Sequence, residues 1–243
     1  MTGSVDSPGP HIFSRFDGDL GDFRQLVLDM GQLALEQVQE AATAVTACDI
    51  RAVSRVRDNY RGVIDKDMDL LESNIQLLAI YQPVASDLRY LVMLSRTAYD
   101  LERIHQEALR LADLAEAQHR IRIPGQGCDV FDDVQYCAEL ASGLLAHAVQ
   151  AVAETSEGLA LEVARRPPEL KEVVEGALRR LATYILQDPR YIQTVINATA
   201  AIQSLERTAD HAVSIARNVI FAISGKDVRH LNALNLDRAF LRS

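Results

Sequence analysis

Steps of three and four residues from Ile192 pick out Val195, Thr199, Ile202, Glu206, Ala209, Val213, Ala216, Ile220 and Ile223, an apolar helical stripe broken by one carboxylate. The same walk 104 residues earlier reads Leu88, Leu91, Ser95, Ala98, Glu102, His105, Leu109, Ala112, Glu116 and His119. Each stripe follows a proline, Pro83 or Pro189, and each carries Leu-Glu-Arg at the same place, Leu101–Arg103 and Leu205–Arg207. The chain is therefore an internal repeat that sets an acid on a packing face in both copies. An unpaired buried carboxylate is costly, so each acid needs an arginine, a proton or a cation, and Ala98 and Ala209 leave room beside it.

The rest of the pattern predicts six helices. Residues 1–15, rich in Ser, Gly and Pro, read as disordered; a first helix spans about Asp17 to Ala47, and Asp49 caps a second running to Tyr81. Gln82-Pro83 breaks it, and a third spans about Val84 to His119. Ile121–Asp129, with one proline and two glycines, is the linker. A fourth helix runs from Val130 to about Glu157, a fifth from the break at Pro167-Pro168 to Gln187, and a sixth from Asp188-Pro189 to a C-cap at Gly225. The expected fold is all-α, two tandem antiparallel three-helix bundles at residues 16–120 and 130–225. In the tail, residues 226–243, Leu231, Leu234, Leu236, Phe240 and Leu241 alternate with polar positions and suit docking on the bundle.

Composition narrows the function classes. A hydrophobic share of 48% supports a sizeable core, while a formal charge of −9 without a basic stripe argues against nucleic acid and anionic membranes as main partners. Cys48, Cys128 and Cys137 form no CxxC and no zinc pattern, so free thiols in a reducing compartment are expected. The first residues lack a signal-peptide core, and the apolar windows are broken by Glu139, His147 and Gln150 before they reach spanning length. The expected location is the cytoplasm.

Glu206 and Asp210, four residues apart, share one helical face about 6 Å apart along the axis, within reach of one cation or a bridged pair. Carboxylate oxygens favour hard ions, and iron, zinc, manganese or magnesium all fit. Asp65, Asp67 and Asp69 make an acid-rich patch that by itself reads as a solvated face. Glu102-x-x-His105 and Glu116-x-x-His119 repeat one form, but they lie about 21 Å apart on one helix and cannot join in a single dinuclear site, so a structural role for His105 outweighs ligation. Arg103 and Arg207 point away from the seam acids, and Arg89 beside Asp87 suits a local ion pair. No Gly-rich phosphate loop, HExxH or nucleophile beside a base stands out.

The runs Asp65–Glu72, Gln82–Arg89 and Asp100–Ile104, with the second LER copy and its continuation from Leu205 to His230, resemble the two repeats of the PhoU family of phosphate-uptake regulators over residues 13–230. The resemblance implies paired three-helix bundles that bind metal through E/DxxxD motifs. Carried over, Glu206 and Asp210 match ExxxD and Asp65 and Asp69 match DxxxD; Glu102 has Gln106 where the second acid belongs, with His105 before it. In the second repeat the partner helix offers Glu172 or Glu175. The implied function is a cytoplasmic negative regulator, a homodimeric adaptor in family terms, that touches the ATPase of the phosphate ABC transporter and the sensor histidine kinase of the phosphate regulon and reaches the membrane only through such partners. The rival from another class is a carboxylate-bridged iron store or oxidase.

Overall fold

The structure, a computed structural model, describes residues 10–121, 128–231 and 233–240. The first unit comprises α1 (Pro10–Ala47), α2 (Ile50–Tyr81) and α3 (Ala85–Ile121). The second comprises α4 (Asp132–Glu154), α5 (Glu157–Arg165), α6 (Pro167–Gln187) and α7 (Ile192–Ser224), followed by α8 (Ala233–Phe240). No strand occurs among the described residues.

The two units share their turn chemistry. Cys48 adopts a left-handed φ of 54° after α1, and the Asp49 side chain accepts the Arg51 N–H at 2.8 Å to open α2. After α4, Thr155 takes φ 49° and the Ser156 hydroxyl accepts the Leu159 N–H at 3.3 Å to open α5. Gly225, with φ 70°, caps α7 through an N–H bond to the Phe221 carbonyl at 2.9 Å.

Three boundaries differ from the sequence reading. Helix α1 begins at Pro10 rather than near Asp17, because a proline at the first helical position forgoes an N–H that has no partner there anyway. The helix expected to reach Glu157 stops at Glu154, at a turn with neither glycine nor proline, so only the Ser156 cap marked it. The counterpart of α2 is consequently two helices, α5 and α6, divided at Arg166-Pro167. The expected disorder of residues 1–9, the centre of the linker at 122–127, the Cys128 and Leu234 side chains and Leu241 all lie outside the described residues.

Helices α3 and α7 lie at the middle. Helix α3 packs on α1, α2 and α7, while α7 packs on α3, α4, α5 and α6, and α1 also meets α4. Helices α1, α3, α7 and α4 thus form a central four-helix layer, with α2 outside one half and α5 and α6 outside the other. This burial on several sides explains why α7 hides Leu205, Thr208, Ile215 and Asn218 as well as Val195, Ile202, Ala209, Val213, Ala216 and Ile220 of the predicted stripe, whose ends, Ile192 and Ile223, stay exposed. Each fully buried Leu, Ile or Met contributes about 1.5–3 kcal/mol relative to exposure, and Met30, Leu91, Leu94, Leu101, Ile104, Ile202 and Leu205 belong to this set. The tail folds back as expected: α8 packs on α5, Leu236 is buried, and the Lys226 ammonium sits 4.9 Å from the Phe240 ring centroid.

Helices α1 and α4 run antiparallel, with Arg24 donating to the Ala153 carbonyl near one end. They pack tightly at Gly31, where an added Cβ would sit 2.9 Å from Val149 Cγ2. Gly31→Leu is therefore expected to destabilise the protein by about 1–3 kcal/mol, since a β-branched valine has little freedom to yield. Denaturant unfolding checks this: adding Val149→Ala should recover part of the loss, and additive effects of the two changes would show that Gly31 and Val149 are not in close contact.

Candidate functional site

A network of buried and half-buried polar groups joins α3 to α7. The Asp100 carboxylate, 6% exposed, accepts His211 Nδ1–H at 3.0 Å, the Ser214 hydroxyl at 2.8 Å and the Asn218 amide at 3.4 Å. Two turns further along α3, Arg207 donates to both Glu107 oxygens at 2.7 and 2.8 Å and to the Ser204 hydroxyl at 3.0 Å. Burial pushes the Glu107 carboxyl up, but Arg207 and Ser204 together hold it below the usual range. Adding 104 to 100 and 107 gives 204 and 211, so the Asp100–His211 contact maps onto Ser204–Glu107 under an internal two-fold between the repeats. At the ends of the seam, Gln118 meets Thr194 and Asn197, and Arg89 reaches the Ala222 carbonyl at 3.4 Å. Arg89 thus bridges the two units instead of pairing with Asp87.

The acids singled out in the first repeat divide between two faces. Glu102 is half-buried, accepts the Gln106 amide at 2.5 Å and lies beside Tyr60, whose hydroxyl is pushed up by burial and by the Glu102 charge. The α2 acid on that side is Asp67, which adds to the field on Tyr60; Asp65 and Asp69 are exposed. Helical spacing accounts for this, because Asp67 continues the Val56, Tyr60, Val63, Leu70 side that meets α1 and α3. His105 turns away from Glu102 into the core, where Nδ1 is 2.7 Å from Gln37 Oε1. Its Nε2 has no hydrogen-bond partner, and burial lowers its pKa to about 4 despite the nearby Met30 carbonyl. Glu116 bonds Arg57 and Arg120 at 2.7 Å each.

In the second repeat Glu206 is half-buried near Cys137, whose thiol burial pushes up to about 11 with help from Asp133. Arg180 of α6 grips Asp133 of α4 in the same neighbourhood. Asp210 is open to solvent on one side, yet surrounding protein pushes its carboxyl up, opposed by His211 and by Arg217. Glu172 and Glu175 are exposed on α6, Glu175 beside Lys171 and Arg179.

Among the described residues, no three His, Cys, Asp or Glu side chains converge in a way that could hold a metal ion. Glu102 is bonded to an amide, His105 to the core, and Asp65 and Asp69 stand on a different face, so the first repeat does not present a ready-made centre. Glu206 and Asp210 share one face of α7, half-buried at Glu206, whereas the Asp65 and Asp69 pair lies on an exposed face of α2. Asp100, Glu107 and His211 were missed by the sequence reading, although Asp100 directly precedes the first LER copy.

The family description "PhoU domain" matches residues 27–115 and 136–219, the two repeats. The chain belongs to the PhoU family. It is 34% identical over 226 residues to the phosphate-specific transport system accessory protein PhoU homolog of Pseudomonas aeruginosa, covering 93% of this chain and 92% of that one. The PhoU accessory protein of Escherichia coli is 27% identical over 228 residues, covering 94% and 93%. The crystal structure of PhoU from Pseudomonas aeruginosa superposes with a TM-score of 0.81 at 33% identity, over 87% of this chain and all of that one. The Streptococcus pneumoniae PhoU structure, at 21% identity and a TM-score of 0.78 over 88% of this chain and 99% of that one, shares the fold. The PhoU relatives are named accessory or regulatory proteins of phosphate transport.

The His105 environment sets a pH dependence. Its folded pKa lies below its unfolded one, so the unfolded chain binds the proton more readily and stability falls as pH drops through 6.5 towards 4. About 3 kcal/mol of stability should be lost over that window on this account. Denaturant unfolding of wild type and His105→Gln at neutral pH and near pH 4 measures it: the variant should lose less on acidification, and identical losses would remove His105 as the cause.

Proposed function

We propose that this chain is a cytoplasmic negative regulator of phosphate uptake and of phosphate-starvation signalling, an adaptor between the ATPase of the phosphate ABC transporter and its sensor histidine kinase. The observation that carries the reading is near-full-length similarity to phosphate-specific transport accessory proteins, in both sequence and fold. Other features agree with it. The polar groups of the interior bond one another across the α3–α7 seam, which leaves the outer helices as the surface for partners. No described helix is long and apolar enough to cross a membrane, so contact with a transporter would run through its soluble parts. The iron-store or oxidase alternative gains no support, since His105 bonds Gln37 and Glu116 is held by arginines.

Metal binding within this reading rests on Glu206 and Asp210, two carboxylates where a tight site uses about three or four protein donors. The pair would hold a cation by charge and oxygen ligation. Elemental analysis of purified protein is expected to show lower metal content in Asp210→Ala and no change in Gln106→Ala. Equal content in wild type and Asp210→Ala would take Asp210 out of the ligand set.

The regulatory reading makes its own demand on cells. Deleting the gene is expected to switch on phosphate-starvation genes in phosphate-rich medium, and the intact protein is expected to co-purify with the transporter ATPase or the sensor kinase. Normal phosphate repression in the deletion strain, with no second copy of the family to cover the loss, would defeat the reading.

A further inference from the structure

Helix α2 carries two stripes. The inner one, through Val56, Val63, Leu70 and Leu77, is buried in the first unit. The outer one consists of Ile64, Met68, Leu71, Ile75 and Leu78, spaced four, three, four and three residues apart. These side chains are 48, 65, 60, 56 and 38% exposed, so a heptad seam suited to another helix has none upon it. Surface apolar residues scattered singly need no explanation, whereas a continuous helical stripe marks an interaction face. The stripe continues into a cavity of about 190 Å³ between α2 and α3, with Leu71 in its wall beside Phe23, Ala98 and Tyr99, and Asp67 and Asn74 as polar lining.

Charge identifies the class of occupant. From Ile64 to Leu78 the helix bears Asp65, Asp67, Asp69 and Glu72 against a single Lys66. Asp65 and Glu72 fall at flanking heptad positions on one edge of the stripe and Asp67 on the other, where coiled coils place the charges that choose a partner. Pairing α2 with a second copy of itself would set acids against acids, whereas a helix with basic flanks would complete both the apolar and the ionic contacts. The second repeat lacks the feature. An offset of 107, fixed by the matching caps Asp49 and Ser156, replaces Ile64, Met68 and Ile75 with Lys171, Glu175 and Ala182.

We propose that the outer face of α2 is the docking surface for a basic amphipathic helix of a partner protein, its apolar side on the Ile64–Leu78 stripe and one large side chain in the cavity beside Asp67. The partner adds a helix to the first unit, and the second unit is left free. The assignment rests on the adaptor reading above, and it says which half of the chain engages a helical partner.

The probe is a labelled three-heptad peptide with leucine at the core positions and lysine elsewhere, titrated by fluorescence anisotropy into the full chain, with a leucine–glutamate peptide for comparison. The lysine peptide should bind wild type and Leu186→Gln alike, Leu186 being an exposed leucine on α6, and should bind Met68→Gln/Leu71→Gln roughly tenfold more weakly or worse. Asp65→Asn/Asp69→Asn/Glu72→Gln should weaken binding and flatten its salt dependence, and the glutamate peptide should not bind. Met68 and Leu71 face solvent, and circular dichroism melts confirm that the variants fold. Equal binding of the lysine peptide to wild type and Met68→Gln/Leu71→Gln overturns the proposal. So does light scattering that finds a wild-type dimer dissolved by those substitutions, since a second copy would then be the occupant. Peptide binding is scored without reference to phosphate and the deletion phenotype without reference to α2, so either can fail alone.

Discussion

The antiparallel seam between α3 and α7 is the constraint on which the rest depends. Its polar centre is a buried carboxylate, Asp100, that can be tolerated only because three donors from the other repeat converge on it. Removing a donor leaves the buried carboxylate under-satisfied, and removing Asp100 leaves three donors without their shared acceptor, so the seam has one register and the two units have one relative placement. The apolar groups around it, Leu101, Ile104, Leu205 and Thr208 with its methyl, supply the burial energy, which is non-directional. The hydrogen bonds supply the direction.

Duplication makes such a seam economical and also explains its asymmetry. Two copies of one helix packed antiparallel about an internal two-fold bring each position against its partner twice. In one of these paired contacts the chain places Asp100 with His211, and in the other Ser204 with Glu107, which is bonded by Arg207. Each solution satisfies an acid at the seam, the buried Asp100 through neutral donors and a histidine, the half-buried Glu107 through a guanidinium. The two halves are held by different chemistry on the same backbone plan.

The sequence disclosed the repeat, the helical class and most helix limits, because periodicity and prolines report local geometry directly. Asp49 and Gly225 were legible as caps for the same reason. The turn at Thr155-Ser156 was not, since a left-handed threonine leaves no compositional mark. The site was less legible. One helical walk reports one face, but α3 and α7 are covered on several, so Asp100 lay off the walk while Glu102 and Glu206 on it are only half-buried. On α2 the DxxxD spacing drew attention to Asp65 and Asp69, though the phase set by Val56, Val63 and Leu70 turns Asp67 inwards. His105 was readable as a structural histidine, and its partner Gln37, on a different helix, was beyond any local pattern.

Layering decides where the two repeats are free to differ. Positions on α3 and α7 face one another across the two-fold, so a change on one must be answered on the other, and their polar contacts remain matched pairs. Helices α2, α5 and α6 pack mainly on their own unit's side of the central layer and answer to no such partner. Their outer faces have diverged accordingly: Ile64, Met68 and Ile75 stand where Lys171, Glu175 and Ala182 stand in the second unit, and one unbroken helix stands where the other unit has two. A family whose members are accessory to a transport system needs a rigid body with distinguishable faces. Here the rigidity comes from the seam that duplication created, and the distinction comes from the flanking helices that duplication left unconstrained.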